Sequence, residues 1–191
     1  MSGRNVAVGN GKWPSEHIWK ELIEQAQFII ALDGAGDRIC ADVVLGDMDS
    51  YKGTKATEIM RIEGQDDTDL AKALKQFRID DVFGIEGGRL DHQMASFTAL
   101  IETESDAILH FQEWKAQRVS KEKFSLNVKP GTIISLFAFG TVSKVTITGV
   151  KYRLLNEDLH TSTRGVHNVA TEKRVKIKHS GGNLIAMWTR E

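Results

Sequence analysis

Short apolar runs that end abruptly in Gly, Asn or Asp recur through the first half of the chain, and helix-like segments follow most of them. A strand covered on both faces is apolar at consecutive positions, so these runs predict buried parallel strands. The predicted strands are residues 5–8, 28–32, 43–45 and 82–85, with a further candidate at 107–111.

Apolar side chains at helical spacing predict three helices between these strands. The first spans residues 15–26 with Ser15 as its cap, the second carries an apolar stripe over 70–77, and the third covers 91–102. Strands that alternate with helices form a parallel sheet with helices on both faces. The predicted fold class is therefore an α/β domain with a Rossmann-like parallel sheet, in which ligands bind beyond the carboxyl ends of the strands.

The pattern changes after residue 117 to shorter alternating runs separated by glycines, with no predicted helix. Residues 132–139 are predominantly apolar, 145–147 and 175–177 alternate with polar neighbours, and 184–188 form a further apolar run. We therefore predict an α/β domain of residues 1–116 and an all-β, sandwich-like domain of residues 117–191. The segment 115–129 is the predicted linker and first strand of the second domain.

The composition of the chain bears on which partners it can attract and on its cellular location. The 191 residues are 41% hydrophobic and 27% charged, and the formal net charge of -1 offers no bulk attraction to nucleic acid or to a membrane surface. The single cysteine, Cys40, excludes an internal disulfide and any cysteine-based metal centre. No apolar stretch reaches the roughly 18 residues of a membrane span, so a cytoplasmic protein is expected.

Asp47 and Asp49 follow one of the predicted strands and are two residues apart. In extended backbone such residues point to the same side. Carboxylates grouped without His or Cys suit a hard cation, and Mg²⁺ at nucleotide sites is usually held by a few carboxylates together with substrate phosphates. The pair is a candidate magnesium site, and the alternative is a solvated Asp-Ser turn.

A second acidic group, Gln65-Asp66-Asp67-Thr68-Asp69-Leu70, precedes the stripe of the second predicted helix. Acids in a first helical turn each contribute about 0.3–1 kcal/mol through the helix dipole, so capping accounts for some of them. Three acids exceed what capping requires, and Asp33 adds another at the end of a neighbouring strand. Like charges that converge repel one another, and a bound cation is the simplest compensation.

A third polar group, Gly87-Gly88-Arg89-Leu90-Asp91-His92, joins a predicted strand to the third helix. Glycines let the backbone approach a ligand, helix N-terminal amides favour anions, and an arginine can hold phosphate oxygens in bidentate fashion. The alternative is a tight turn with Asp91 as N-cap and His92 as a surface residue. Neither a Walker A sequence nor a dinucleotide fingerprint is present, so a nucleotide would be bound in another way.

Taken in order, these three groups together with Asp33-Gly34-Ala35 and Gly46-Asp47-Met48-Asp49-Ser50 closely resemble the motif series of the thiamine pyrophosphokinase family. The later segment Thr148-Gly149-Val150-Lys151-Tyr152-Arg153-Leu154 also looks like the second domain of that family. The resemblance therefore spans nearly the whole chain.

The resemblance implies a cytoplasmic enzyme that transfers a pyrophosphoryl group from ATP to thiamine with Mg²⁺, giving thiamine diphosphate and AMP. It also implies a homodimer whose active site lies where the first domain of one subunit meets the second domain of the other. Carried over by position, Asp47, Asp49 and Asp69 would be catalytic and hold magnesium. Nucleotide and substrate binding would fall to Asp33, Gln65, Thr68, Arg89, Asp91, His92, Ser162, Thr163 and Asn168.

The sequence departs from the family pattern on the acceptor side. His167 stands where the family has a serine before the asparagine, no acid follows Asn168, and Asp37 replaces an asparagine of the first motif. Two alternatives therefore stay open: a related pyrophosphokinase acting on another heterocyclic alcohol, such as a hydroxymethylpterin, or a noncatalytic sensor of thiamine or nucleotide. Tyr152 and Trp188 could stack on a flat cationic acceptor, and burial in the sheet is the alternative for both.

Overall fold

Parallel strands form the sheet of the N-terminal part of the chain in a computed structural model, which describes residues 3–53, 56–62, 64, 66–121 and 124–190. The chain divides into two compact units, residues 1–112 and 113–191. In the first unit the strands are β1 (Arg4–Val8), β2 (Ala26–Leu32), β3 (Ala41–Gly46), β4 (Ala56–Arg61), β5 (Asp81–Phe83) and β6 (Ile108–His110). Their order is β4-β3-β2-β1-β5-β6, and each neighbouring pair is parallel, as predicted.

The helices of the first unit are α1 (Glu16–Glu24), α2 (Asp69–Gln76) and α3 (Leu90–Glu102), with a short 3-10 helix at Asp33–Asp37. All three predicted helices are therefore present. The edge strand β4 has no counterpart in the prediction, because its outer positions are exposed and do not show the apolar run of a buried strand.

The helix starts agree only in part with the sequence analysis. Ser15 is the N-cap residue of α1, as predicted, but its side chain makes no capping hydrogen bond and instead lies 3.2 Å from His17 Nδ1. Arg89, and not Asp91, is the N-cap residue of α3, so Asp91 lies in the first turn. By contrast, the Thr68 side chain caps α2 by accepting a hydrogen bond from the Ala71 amide at 3.2 Å.

The core of the first unit explains why the strands are apolar at successive positions. Val6, Val8, Ala31, Val44 and Phe83 are fully buried in one cluster. Side chains of α1 and of the preceding loop pack against this cluster; they include Trp13, Trp19, Leu22 and Ile23. Each fully buried large apolar side chain stabilises the fold by about 1.5–3 kcal/mol relative to exposure. The carboxyl ends of the strands are thereby fixed relative to one another.

The second unit contains β-strands and, among its described residues, no helix. The strands are β7 (Trp114–Arg118), β8 (Phe124–Asn127), β9 (Ile133–Thr148), β10 (Leu154–His160), β11 (Asn168–Val169), β12 (Arg174–Lys178) and β13 (Gly181–Thr189). Strand β9 pairs antiparallel with β10, β11, β12 and β13, while β7 pairs with β13 and β8 pairs with β12. The runs at 132–139 and 145–147 belong to one long strand. The predicted domain boundary at 116/117 falls inside β7.

A buried ionic cluster joins three strands of the first unit. Asp81, 1% exposed, accepts a hydrogen bond from Arg4 and lies 2.7 Å from His110 Nε2 through its Oδ1. Burial alone would raise the pKa of Asp81, but the hydrogen bonds and charges of His110 and Arg4 outweigh it and hold this pKa below its usual value. The folded state therefore favours the ionised carboxylate.

The Asp81 cluster should set the acid limit of stability. Because the pKa of Asp81 is lower in the folded state, unfolding takes up a proton, and the free energy of unfolding falls as pH drops below the ordinary Asp value of 3.8. Asp81→Ala should cost about 1–3 kcal/mol near neutral pH, since it removes the acceptor shared by the half-exposed Arg4 and the buried His110. It should also flatten this acid dependence. Urea unfolding between pH 3 and 7 checks both effects. Glu16→Gln removes a carboxylate whose pKa is also lowered, by Lys20, but which is exposed to solvent; as the control it should change the profile far less than Asp81→Ala.

No helix in the described part of the chain is long and apolar enough to cross a membrane. The cytoplasmic location stays a prediction.

Candidate active site

A cavity of about 350 Å³ lies in the first unit at the carboxyl ends of the strands. Each wall is a segment that follows a strand or opens a helix, because neighbouring parallel strands end at the same edge of a sheet. The lining residues are Gly9, Asn10, Gly11, Leu32, Asp33, Ser50, Thr68, Asp69, Leu70, Gly84, Ile85, Gly87, Gly88, Arg89, His92 and Ser96. Residues of the second and third polar groups thus line one cavity together with Asp33 and Ser50, whereas Asp47, Asp49 and Asp91 are not among its lining residues.

Three carboxylates converge beside this cavity. Asp33, Asp47 and Asp49 each offer one oxygen, and these oxygens all lie within 4.8 Å of one another. The two-residue spacing of Asp47 and Asp49 predicted that extended backbone would bring their carboxylates to the same side. The structure shows a different cause. Met48 has a left-handed φ of 67°, and the Asp49 amide donates to Asp47 Oδ1 at 3.3 Å, so a tight turn brings the two carboxylates together.

The turn is braced from the 3-10 helix that follows β2. The Ser50 amide donates to Asp33 Oδ1 at 3.4 Å, and the Lys52 amide donates to Asp37 Oδ2 at 2.8 Å. Asp37 is therefore an acceptor for the backbone of the segment that carries Asp47 and Asp49. An asparagine could accept this hydrogen bond through its own side-chain oxygen, so the departure at this position is compatible with the same local structure.

Asp69 is a fourth carboxylate at the site, outside the group of three. Its Oδ1 pairs with Lys72 Nζ at 3.4 Å, and Lys72 Nζ also donates to the Ile62 carbonyl at 3.2 Å. Gly46 separates Asp69 from Asp33. A Cβ atom built on Gly46 would lie 3.3 Å from Asp69 Oδ2 and 3.0 Å from Asp33 Cβ, so both acids pack against this glycine.

Burial and neighbouring acids raise the pKa values of two carboxyl groups at the site. Burial raises the pKa of Asp33, and a hydrogen bond with Asp49 acts in the same direction, against hydrogen bonds from Ser50 and the Gly34 backbone. Burial also raises the pKa of Asp69, and the charges of Asp33 and Asp47 add to this rise, while Lys72 opposes it. Both carboxylates would gain from a cation nearby.

The donor set fits Mg²⁺. Three carboxylates with no His or Cys among them are the hard oxygen ligands this ion prefers. Two ligands on opposite sides of Mg²⁺ lie about 4.2 Å apart, since each Mg–O distance is about 2.1 Å. The carboxylate oxygens, which all lie within 4.8 Å of one another, are therefore close enough to approach one ion with small adjustments.

The start of α3 places Arg89, its N-cap residue, and His92, in its first turn, on the cavity wall. Arg89 forms a bidentate ion pair with Asp91, at 3.1 and 2.5 Å. The hydrogen bond from Arg89 lowers the pKa of Asp91 to about 2, despite a small opposing effect of burial and with help from the His92 amide. Asp91 thus orients the guanidinium of Arg89.

Comparison with known proteins assigns the chain to a family. Residues 19–110 match the model described as "Thiamin pyrophosphokinase, catalytic domain", and residues 121–184 match "Thiamin pyrophosphokinase, vitamin B1 binding domain". The chain belongs to the thiamine pyrophosphokinase family. Both parts of the family pattern are present, and together they cover most of the sequence, which confirms the resemblance of the motif series.

Solved structures with the same fold include several family members. The thiamine pyrophosphokinase from Bacillus subtilis is 21% identical with a TM-score of 0.78, covering 98% of this chain and 100% of that one. The Candida albicans enzyme is 15% identical with a TM-score of 0.82, covering 99% and 90%, respectively. A family protein from Enterococcus faecalis is 18% identical with a TM-score of 0.79, covering 99% and 100%. Among curated protein sequences no match is found.

The residues expected on the acceptor side lie in the second unit. Thr163 and Asn168 line a separate cavity of about 410 Å³ together with Tyr152 and Arg153, and the Ser162 hydroxyl accepts a hydrogen bond from the Arg164 amide at 3.3 Å. Asn168 is buried, and its side chain donates to the Tyr152 carbonyl at 2.6 Å and accepts from the Tyr152 amide at 3.0 Å. Its amide therefore supports the turn at Tyr152.

The two aromatic side chains and His167 differ in their surroundings. Tyr152 is exposed, with the Lys151 ammonium 5.2 Å from its ring centroid, whereas Trp188 is buried in β13. His167 has an exposed side chain and a left-handed φ of 60°, and its backbone amide donates to Ser135 Oγ at 3.1 Å. Gln65, predicted to complete the site, lies outside the described residues.

Sequence reasoning missed several residues that line this cavity or lie beside Asp69. Asn10 and Gly11 follow the predicted strand at residues 5–8. Their position beyond a strand end could therefore have identified them as candidates for the site. Ser96 on α3 and Lys72 on α2 gave none, because a Ser or a Lys at helical spacing is typical of an ordinary solvated face. Only the packing of α2 buries Lys72 beside Asp69.

Proposed function

We propose that the chain transfers a diphosphoryl group from ATP to the hydroxyethyl oxygen of thiamine, releasing AMP. The carboxylate group formed by Asp33, Asp47 and Asp49 carries this proposal, because it stands on the rim of a strand-end cavity in the part of the chain that matches the family's catalytic domain. In the reaction the substrate oxygen bonds to the β-phosphorus, the bond to the α-phosphate oxygen breaks, and the hydroxyl proton passes to a base.

Mg²⁺ would be held by Asp33, Asp47 and Asp49. Bound there, the ion supplies charge neutralisation for the phosphates that are transferred. The turn at Met48 and the braces to Ser50 and Lys52 keep the three carboxylates in place before substrate arrives, which lowers the cost of organising them during the reaction.

Phosphate binding would involve the glycines before α3 and the first residues of that helix. Gly87 and Gly88 let the backbone approach the ligand, and the first amides of α3 favour an anion. Arg89, already held by Asp91, can turn its free donors to phosphate oxygens. His92 on α3 and Thr68 at the start of α2 also line the cavity.

Asp69 is the carboxylate best placed to accept the hydroxyl proton. It lies outside the group of three, one of its oxygens is held by Lys72, and the other faces Gly46 and the cluster. A half-buried carboxyl with a raised pKa is a better proton acceptor than an ordinary aspartate. The resemblance gave Asp69 as a magnesium ligand instead, and metal affinity separates the two roles.

We further propose that the finer architecture follows the family, with a Rossmann-like first domain, a sandwich-like second domain and a homodimer that completes the acceptor site with Ser162, Thr163 and Asn168. Exposed apolar side chains on both units support the homodimer: Leu90 and Met94 on α3, and Tyr152, Leu155 and Val166 in the second unit. Such side chains are favoured at interfaces between subunits.

The identity of the nucleotide formed from ATP, AMP or ADP, tests the proposed function directly. Purified protein incubated with ATP, Mg²⁺ and thiamine should yield AMP and thiamine diphosphate in equal amounts. ADP as the sole nucleotide product would overturn the proposal. AMP release with a hydroxymethylpterin and none with thiamine would favour the alternative acceptor class, and the absence of turnover with nucleotide still bound would favour a sensor.

A further inference from the structure

The loop after β1, formed by Gly9, Asn10 and Gly11, is one wall of the cavity and has no role in the motif series. The Gly9 amide donates to the Phe83 carbonyl at 2.8 Å, and the Gly11 amide donates to the Gly84 carbonyl at 2.7 Å. A Cβ atom on Gly9 would lie 2.4 Å from the Gly84 oxygen, so only glycine permits this close approach of the loop to the segment after β5. The loop is therefore fixed on the side of β5.

Arg38 fixes the same loop from the other side. Its Nη1 donates to the carbonyls of Asn10 and Gly11, both at 2.9 Å. The guanidinium lies over the Trp13 ring, 4.2 Å from its centroid, and Trp13 Nε1 donates to the Gly9 carbonyl at 3.0 Å. All three carbonyls of the loop thus have a donor from Arg38 or Trp13. Such a complete set of contacts holds the loop in one conformation.

Arg38 also sets the orientation of the Asn10 side chain. Its Nη1 lies 3.4 Å from Asn10 Oδ1, which leaves the Nδ2 amide group pointing the other way. A Cβ atom built on Gly34 would lie 2.6 Å from this Nδ2 and 3.3 Å from Ser50, so the amide stands above Gly34, between β1 and the acidic cluster. Within the described part of the chain, Asn10 Nδ2 donates to no protein acceptor, and the exposed Asn10 lines the cavity.

We propose that Asn10 binds a phosphate oxygen of the nucleotide through Nδ2, and that Arg38 is a positioning residue that acts through Asn10. The proposal rests on the proposed function only in that the cavity takes a nucleotide. The oxygens of a triphosphate only accept hydrogen bonds, and the Asp33 carboxylate near Asn10 also offers only acceptors. A phosphate bound beside Asp33 therefore needs a hydrogen-bond donor at this position. The amide of Asn10 supplies this donor without adding a cation that would compete with Mg²⁺ for the carboxylates.

The first test measures ATP binding without an acceptor, by calorimetric titration of ATP into protein with excess Mg²⁺. Asn10→Asp keeps the side-chain shape and replaces the donor with an oxygen that repels phosphate, so the Kd for ATP should rise about tenfold or more. Asn10→Ala should raise it less. Asn183→Asp introduces the same charge at an exposed position on β13 and should leave the Kd unchanged.

The second test separates positioning from general stabilisation. Arg38→Met keeps the contact with Trp13 and removes the donors, so it should raise the KM for ATP several-fold and leave the KM for thiamine unchanged. In the Asn10→Ala background the same substitution should add little, because Arg38 acts through Asn10. Arg78→Met, which removes an arginine that is paired with Asp80, is the matched control.

The outcomes distinguish the inference from the proposed function. If the wild type binds no ATP, the proposed function fails. Wild-type binding with an unchanged Kd in Asn10→Asp would overturn the role of Asn10. Additive effects of the Asn10 and Arg38 substitutions, or equal changes in the KM of both substrates, would overturn the positioning role of Arg38.

Discussion

Asp47→Asn should lower kcat/KM for thiamine diphosphate formation about a thousandfold, the largest effect expected from any single isosteric change in this chain. Asp47 is one of the three carboxylates that converge within 4.8 Å, and its Oδ1 also closes the turn by accepting from the Asp49 amide. An asparagine can keep that hydrogen bond but carries no charge for a cation. The AMP assay at saturating Mg²⁺ measures the loss.

Folding should be unaffected by the same substitution. Removing one of several like charges relieves repulsion among Asp33, Asp47 and Asp69, so the melting temperature of the metal-free protein should stay the same or rise. A large fall in melting temperature would contradict this account. The variant should also keep the molecular mass of the wild type in light scattering, which is twice the 21.3 kDa of one chain if the proposed dimer forms.

Asp69→Asn is the informative companion to Asp47→Asn. If Asp69 accepts the hydroxyl proton, this variant should lose kcat while retaining the affinity of the protein for Mn²⁺, measured as a substitute ion by electron paramagnetic resonance. Asp47→Asn should lose both. Equal loss of metal affinity in the two variants would instead make Asp69 a ligand, as the family resemblance implied.

Gly46→Ala should lower activity about ten- to a hundredfold, although it adds a single methyl group. The new Cβ would lie 3.0 Å from Asp33 Cβ and 3.3 Å from Asp69 Cγ and Oδ2, so both acids must move by a few tenths of an ångström. Carboxylates that have to meet one ion tolerate such displacement poorly, because Mg²⁺ demands near-ideal octahedral geometry. Steady-state kinetics across a range of Mg²⁺ concentrations should show a raised Mg²⁺ requirement.

Gly181→Ala is the matched control for that prediction. No atom lies within 4 Å of a Cβ atom built on Gly181, and its backbone is not in the left-handed region. Its activity and Mg²⁺ requirement should equal those of the wild type. If Gly46→Ala behaved in the same way, the packing of Asp33 and Asp69 against Gly46 would have no part in catalysis. The free energy of unfolding of Gly46→Ala should be lower than that of the wild type by about 1–3 kcal/mol, because the site is overpacked.

Periodicity predicted the layout of the first unit well and that of the second unit less well. The strands before Gly9, Asp33 and Asp47 are apolar at successive positions because both faces of a parallel sheet are covered, and this pattern is readable locally. Strand β9 appeared as two segments because the alternation of buried and exposed positions is interrupted along it. The edge strand β4 has exposed positions, so its sequence lacks the continuous apolar run that predicts a buried strand.

The amino-acid sequence by itself determined the class of the fold, the family and the acids that surround the site, because strand ends in a parallel sheet meet and the motifs lie at those ends. Only the tertiary structure decided how these residues act. It placed Asp33 with Asp47 and Asp49, set Asp69 apart beside Lys72, and made Asp37 a brace for the Lys52 backbone. It also held Asn10 in place through Arg38. The contacts of Asp33, Asp37 and Arg38 join residues far apart in the chain, and local pattern carries no information about them.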